Sequence, residues 1–164
     1  MIIIGYQGIG KSTLCNNQNM SFKFIDLESS CFRDDDGERP DDWYIYYCKV
    51  AEDLSRQNCI VFMSSHKVVR ARLRNSKEKV CIICPSLDLK DKWIERLENR
   101  YNSTKKDKDY RAWRNAVEKY TENITDLLND GLPVIEINNM KYDLKQIVIN
   151  YELELIANKI KDDN

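Results

Sequence analysis

Five short apolar runs, at residues 2–4, 22–25, 59–63, 80–84 and 132–137, are separated by stretches with helical periodicity, and most of them lack polar alternation. A strand that is apolar on both sides must be covered on both sides, and parallel neighbours are joined by helical crossovers. The pattern therefore predicts an α/β chain with a five-stranded parallel sheet, right-handed crossovers and a three-layer α/β/α arrangement. At 164 residues, with no internal repeat and no low-complexity linker, the expectation is a single domain over 1–164.

The intervening segments read as helices. Residues 11–17 can open one after the first strand, and a loop rich in charge, with Gly37 and Pro40, leads to Asp41 or Asp42 as a cap for the next. In that second helix Trp43, Tyr46, Tyr47, Val50, Ala51 and Leu54 fall on one stripe. Their spacing favours core, with an adenine or acceptor platform as the other reading of the aromatics. Residues 64–75 form a basic helix, and Pro85 stops the fourth strand. Residues 88–101 and 110–127 form a helical hairpin around a Lys-rich turn at 102–108, with Tyr110, Trp113, Val117, Tyr120, Ile124 and Leu127 inward on its second arm. The closing helix, 142–161, carries Leu144, Ile147, Val148, Tyr151 and Leu155 on one face.

Composition excludes several classes. The 26 Lys and Arg nearly cancel the 27 Asp and Glu, which removes a polybasic nucleic-acid coat and an acidic disordered tail. No apolar run approaches the roughly 20 residues a bilayer requires, and the opening Met-Ile-Ile-Ile is too short and lacks the basic flank of a signal peptide. A cytoplasmic protein is expected. Its six cysteines then read as reduced thiols, and Cys81 and Cys84 as structural ones, because side chains three apart on a strand point to opposite faces.

Glycine is scarce, five in the chain, yet Gly5, Gly8 and Gly10 follow the first apolar run within six residues. The segment Gly5-Tyr6-Gln7-Gly8-Ile9-Gly10-Lys11-Ser12 fits G-x-x-x-x-G-K-[ST]. Its glycines let successive amides curl around a phosphate at the start of a helix, Lys11 reaches the outer phosphates, and the Ser12 hydroxyl ligates Mg²⁺. Gly5, Gln7, Gly8, Ile9, Gly10, Lys11, Ser12 and Thr13 are the expected nucleotide-binding residues.

On this motif the chain resembles the P-loop NTPases. A loop at the very start of the sequence, five strands and a basic hairpin between strands four and five narrow the resemblance to nucleoside monophosphate kinases and the shikimate and gluconate kinases. The resemblance implies ATP and Mg²⁺ as cofactors and a small anionic acceptor as partner, in a monomer or homodimer. Nucleic acid enters only as a 5′-end substrate, and membrane is not involved.

Strand three ends in Met63-Ser64-Ser65 with no acid, so the metal-side carboxylate is sought at the end of strand two. There Asp26 and Glu28, two residues apart, project to one side of an extended segment. They resemble the Asp-x-Asp of shikimate- and gluconate-type kinases. That likeness implies Asp26, with Ser12, on the metal and Glu28 as a base or acceptor contact; the other reading is a solvated pair capping a helix. A phosphate acceptor is already anionic and needs no strong base, so Glu28 separates a monophosphate kinase from a hydroxyl kinase.

Ser64-Ser65-His66-Lys67-Val68-Val69-Arg70 resembles the stretch gluconate kinases carry after strand three. Ser65, Lys67 and Arg70, with Arg39, are the expected acceptor contacts, and His66 caps the helix or touches the acceptor. The hairpin, 88–130 with its flanks, resembles the monophosphate-kinase lid, and Arg96 and Arg100, four apart, match its catalytic position. The expected function is an ATP- and Mg²⁺-dependent phosphotransferase, foremost a nucleoside or deoxynucleoside monophosphate kinase. The alternatives are a hydroxyl kinase of the gluconate, shikimate or polynucleotide 5′-hydroxyl type, and a nucleotide-binding regulator without transfer chemistry.

Overall fold

The structure, a computed structural model, describes residues 1–16 and 23–162. Phe22 and Asn17, expected at the ends of a strand and a helix, lie outside the described residues. The five strands are β1 (Ile2–Gly5), β2 (Lys23–Asp26), β3 (Cys59–Met63), β4 (Val80–Pro85) and β5 (Val134–Ile137). The six helices are α1 (Lys11–Asn16), α2 (Trp43–Arg56), α3 (Lys67–Leu73), α4 (Lys90–Thr104), α5 (Asp107–Leu128) and α6 (Leu144–Asp162).

All strand pairs are parallel, in the order β2-β3-β1-β4-β5, with Ile3 opposite both Phe62 and Cys81. Every residue of β1, β3 and β4 is buried, so the centre of the sheet is covered on both faces, as its unbroken apolar composition requires. Because the strands run the same way, the segments that follow β1, β2 and β3 meet at one edge, where open α/β sheets form their ligand crevice.

Several boundaries and faces differ from expectation. Pro85 ends β4 from within it, opposite Ile137, and the next amide, Ser86, donates to the Ile137 carbonyl. The basic helix spans only seven residues, not 64–75. On α2, Tyr46 and Val50 face solvent, while Cys48, Glu52 and Ser55 are buried beside Trp43, Tyr47 and Ala51. Buried Glu52 accepts from the Ser76 hydroxyl at 2.7 Å and lies 3.8 Å from the Arg72 guanidinium. No side-chain capping bond is made by Asp42.

On α5 the inward residues are Asp109, Ala112 and Ala116, then Tyr120, Ile124 and Leu127, leaving Tyr110 and Val117 exposed. The backbone leaves helical geometry at Lys119, between the two sets. Cys81 and Cys84 are fully buried and burial pushes both thiols up to about 12, which fits reduced structural cysteines. Among the described residues no helix is long and apolar enough to cross a membrane.

Candidate functional site

The segment between β1 and α1 turns on two left-handed glycines, Gly8 with φ of 86° and Gly10 with φ of 99°. The positive φ strains any other residue at Gly8, and a Cβ there would also push on the Leu97 side-chain tip, 2.9 Å away. Two outside groups hold the turn: the Trp93 indole of α4 donates to the Gln7 carbonyl at 3.0 Å, and the Tyr142 hydroxyl donates to the Ile9 carbonyl at 2.9 Å.

Lys11 folds back over this turn. Its ammonium donates to the Gly5 carbonyl at 2.8 Å and to the Tyr6 carbonyl at 3.3 Å, and burial lowers its pKa against the opposing pull of Asp26 and Glu28. Beside it the Ser12 hydroxyl donates to Asp26 Oδ2 at 2.5 Å. The structure thus brings Ser12 and Asp26, both named from the sequence, into direct contact. Among the described residues no three His, Cys, Asp or Glu side chains form a cluster that could hold a metal. Two adjacent oxygens alone fit an ion such as Mg²⁺, which takes most of its ligands from water and phosphate.

Asp26 reaches this position because β2 pairs with β3, Asp26 lying opposite Phe62. The two strand ends are then tied by Tyr47 of α2: its buried hydroxyl donates to the Leu27 carbonyl at 2.7 Å and accepts from the Ser64 amide at 2.9 Å. Burial pushes that phenol up to about 12, so it stays protonated and able to donate. Glu28 does not join Asp26 at Ser12. Its carboxylate is paired with Lys108, near the start of α5, at 3.3 Å.

Two cavities flank the turn. One, of 590 Å³, lies against Ile9, Gly10, Thr13 and Leu14 and is closed by Arg96, Met140, Tyr142 and Lys145. The Arg96 guanidinium sits 5.2 Å from the Trp93 ring and 5.3 Å from the Tyr142 ring, so it faces this cavity and not the opposite side. Met140 and Tyr142, from the β5–α6 connection, and Lys145, at the start of α6, had no periodic signal in the sequence to mark them.

The other cavity, of 430 Å³, lies between the turn, the β3–α3 connection and α5, and Gln7, Lys11, Ser65, Lys67 and Arg70 line it. Arg70, 2% exposed, is bound to Asp126 and Asp130 of the α5 end, and only its Nε lacks a partner. Lys67 is exposed, 3.9 Å from Asp126. Ser65 and Lys67 thus line the cavity, whereas most of the Arg70 guanidinium serves to join α3 to α5.

Arg39 lies outside this cavity. It donates to the Ser29 hydroxyl at 2.9 Å and stacks 4.5 Å from the Trp43 ring. His66 occupies the N-cap position of α3 without a capping bond; its ring meets Trp43 edge-on at 5.3 Å, and burial, then the Arg39 charge, lower its pKa. Arg100 pairs with Asp109 at 3.0 Å inside the hairpin, and Arg111 and Arg114 pair with acids on their own helix. Arg96 and Arg100, read together from their spacing, thus have different partners, two aromatic rings for one and Asp109 for the other.

The base of the hairpin belongs to the core, with Trp93, Leu97, Ala116, Tyr120 and Ile124 all buried. Its turn is shorter than 102–108, since α4 runs to Thr104, Lys105 is left-handed, and α5 begins at Asp107. What the sequence did not single out is a pair of amides on α5, Asn115 and Asn123, which also line the 430 Å³ cavity. No protein-family model matches the chain, and no curated protein matches it.

Proposed function

We propose that the chain is a P-loop phosphotransferase that moves the γ-phosphoryl group of ATP, with Mg²⁺, onto a small anionic acceptor, a nucleoside or deoxynucleoside monophosphate. The observation that carries the reading is the position of Lys11. Its ammonium lies over the Gly5–Ser12 turn, beside the Ser12–Asp26 pair and at the wall of a cationic cavity, while a larger cavity of mixed polar and apolar lining opens on the other side of the same turn.

In this reading the 590 Å³ cavity takes the nucleoside of the donor. Its volume is in the range of small-molecule sites, and Tyr142 with Arg96 offers an aromatic and a cationic plane to a base. Amides of the glycine turn hold the phosphates, and Lys11 exchanges its carbonyl partners for phosphate oxygens. Ser12 and Asp26 hold the hydrated metal, which when bound neutralises charge on the outer phosphates. The bond from the γ-phosphorus to the bridging oxygen breaks, a bond to the acceptor's phosphate oxygen forms, and the products are ADP and a nucleoside diphosphate.

Charge in the second cavity favours the anionic acceptor over the hydroxyl acceptor. Lys11, Lys67 and Arg70 line it, and its one carboxylate, Asp126, is paired with Arg70. Glu28, the base a hydroxyl kinase would use, is not among its lining residues and is held by Lys108. A phosphate acceptor carries its own nucleophilic oxygen and needs no such base.

The test is to incubate the protein with ATP, Mg²⁺ and a panel of nucleoside and deoxynucleoside monophosphates and to follow ADP and diphosphate formation. Turnover with at least one acceptor is expected, falling by about 10² or more in Lys11→Ala. Absence of ADP with every member of the panel, from protein that remains folded, would overturn the reading.

A further inference from the structure

Phosphoryl transfer calls for donors placed around the outer phosphate, and a hairpin that closes over the site is the usual place to look for arginines. Here those arginines are otherwise engaged: Arg96 faces the other cavity, Arg111 and Arg114 are paired with acids on their own helix, and Arg100, though near enough for its charge to act on Lys11, is held by Asp109. What α5 presents beside Lys11 is instead a row of carboxamides.

The orientation of that row can be worked out bond by bond. Gln7 Nε2 donates to the Ala112 carbonyl at 2.8 Å, and a carbonyl only accepts, so the nitrogen of Gln7 is assigned. The same nitrogen lies 3.3 Å from Asn115 Oδ1, which therefore accepts, and Asn123 Nδ2 donates to that same oxygen at 2.9 Å. With its oxygen occupied twice, Asn115 has only its amide N–H groups to offer. In a straight helix residues 115 and 123 stand about 12 Å apart along the axis and about 80° apart around it. The break at Lys119, midway between them, lets the two side chains meet.

We propose that Asn115 is a catalytic residue, donating from Nδ2 to the terminal phosphoryl group of the bound nucleotide, with Gln7 and Asn123 as the positioning residues that aim it. The inference rests on the phosphotransferase reading. A neutral donor there adds a hydrogen bond next to Lys11 without adding a further cation to a cavity that already holds three.

Asn115→Asp makes a clean test, because the new carboxylate still accepts from Gln7 and Asn123 while its other oxygen replaces the outward donor with negative charge. Affinities for Mg·ADP and for the Mg complex of the non-hydrolysable β,γ-imido analogue of ATP are to be measured by calorimetry on wild type, Asn115→Asp and Asn115→Ala. The expected result is a loss of about tenfold or more for the imido analogue in Asn115→Asp, about threefold in Asn115→Ala, and less than about twofold for ADP in both. Equal changes for the two nucleotides, or none, would overturn the inference and leave the phosphotransferase reading standing. A wild-type protein that binds neither nucleotide would overturn both.

Discussion

The Tyr47 hydroxyl lies between the Leu27 carbonyl and the Ser64 amide, and so links the segment bearing Asp26 and Glu28 to the segment bearing Ser65 and Lys67. Tyr47→Phe keeps the ring in its contacts with Trp43 and Phe32 and removes only the oxygen. Two backbone groups then lose a buried partner, for a cost of about 1–3 kcal/mol. Urea denaturation should show that loss, and on the proposed phosphotransferase reading kcat should fall with it, because the segments bearing Asp26 and Ser65 no longer share an anchor. Unchanged stability together with unchanged turnover would contradict this role. At the residue scale the sequence made the Gly5–Ser12 turn plain, since left-handed φ leaves few choices besides glycine, and it identified the Ser12–Asp26 pair. It showed Tyr47 only as one apolar position in a helical stripe, because a phenol's partner across the fold leaves no local trace. The arginines were harder still. What Arg39, Arg96 and Arg100 do is decided by Ser29, by two rings and by Asp109, none of which spacing alone could assign.

Elements were legible where burial is two-sided. The runs of β1, β3 and β4 need no phase, so their identity and parallel arrangement followed directly from composition. Helices do need a phase, and it failed where a polar residue was buried with a partner from another element. Glu52 turns α2 away from its apolar stripe, and the Lys119 break divides α5 into two faces. Arg70 is the comparable case in α3. It is bound to Asp126 and Asp130, and the Asp130 side chain is only 3% exposed, so the bridge is buried on both sides. Arg70→Met strips Asp126 and the buried Asp130 of the Arg70 guanidinium and leaves Asp130 only the half-exposed Arg74, a loss of about 3 kcal/mol. For a chain of this size that lowers Tm by roughly 6–12 °C in a calorimetric scan. Adding Asp130→Leu should recover much of the loss, since apolar replacement of both partners removes the stranded charge. A Tm unmoved by Arg70→Met would show that the bridge contributes nothing to the packing of α3 on α5.

For the whole molecule, the charges of the fold set how its stability follows pH. His66 is the chain's one histidine, and its pKa in the folded protein lies below 6.5, first because of burial and then because of Arg39. The unfolded chain therefore binds more protons than the native protein as pH drops below 6.5, and the free energy of unfolding must rise with pH across that window. Stability is complete above 6.5 and is lost as pH falls through the lower, folded value. The slope stays well under the one-proton ceiling of about 1.4 kcal/mol per pH unit, because the residue retains solvent contact. Burial also lowers the Met1 ammonium, from 8.0, so the wild type carries a second contribution of the same sign at higher pH. His66→Gln keeps a polar group of similar reach beside Ser29 and Trp43 but cannot titrate. Urea midpoints measured between pH 5.5 and 8 should therefore climb less steeply in His66→Gln than in wild type below pH 6.5, and the two curves should run parallel above it. Curves parallel throughout would mean that the imidazole titrates alike in the folded and unfolded chain, and that the Trp43–Arg39 contacts do not disfavour its charged form.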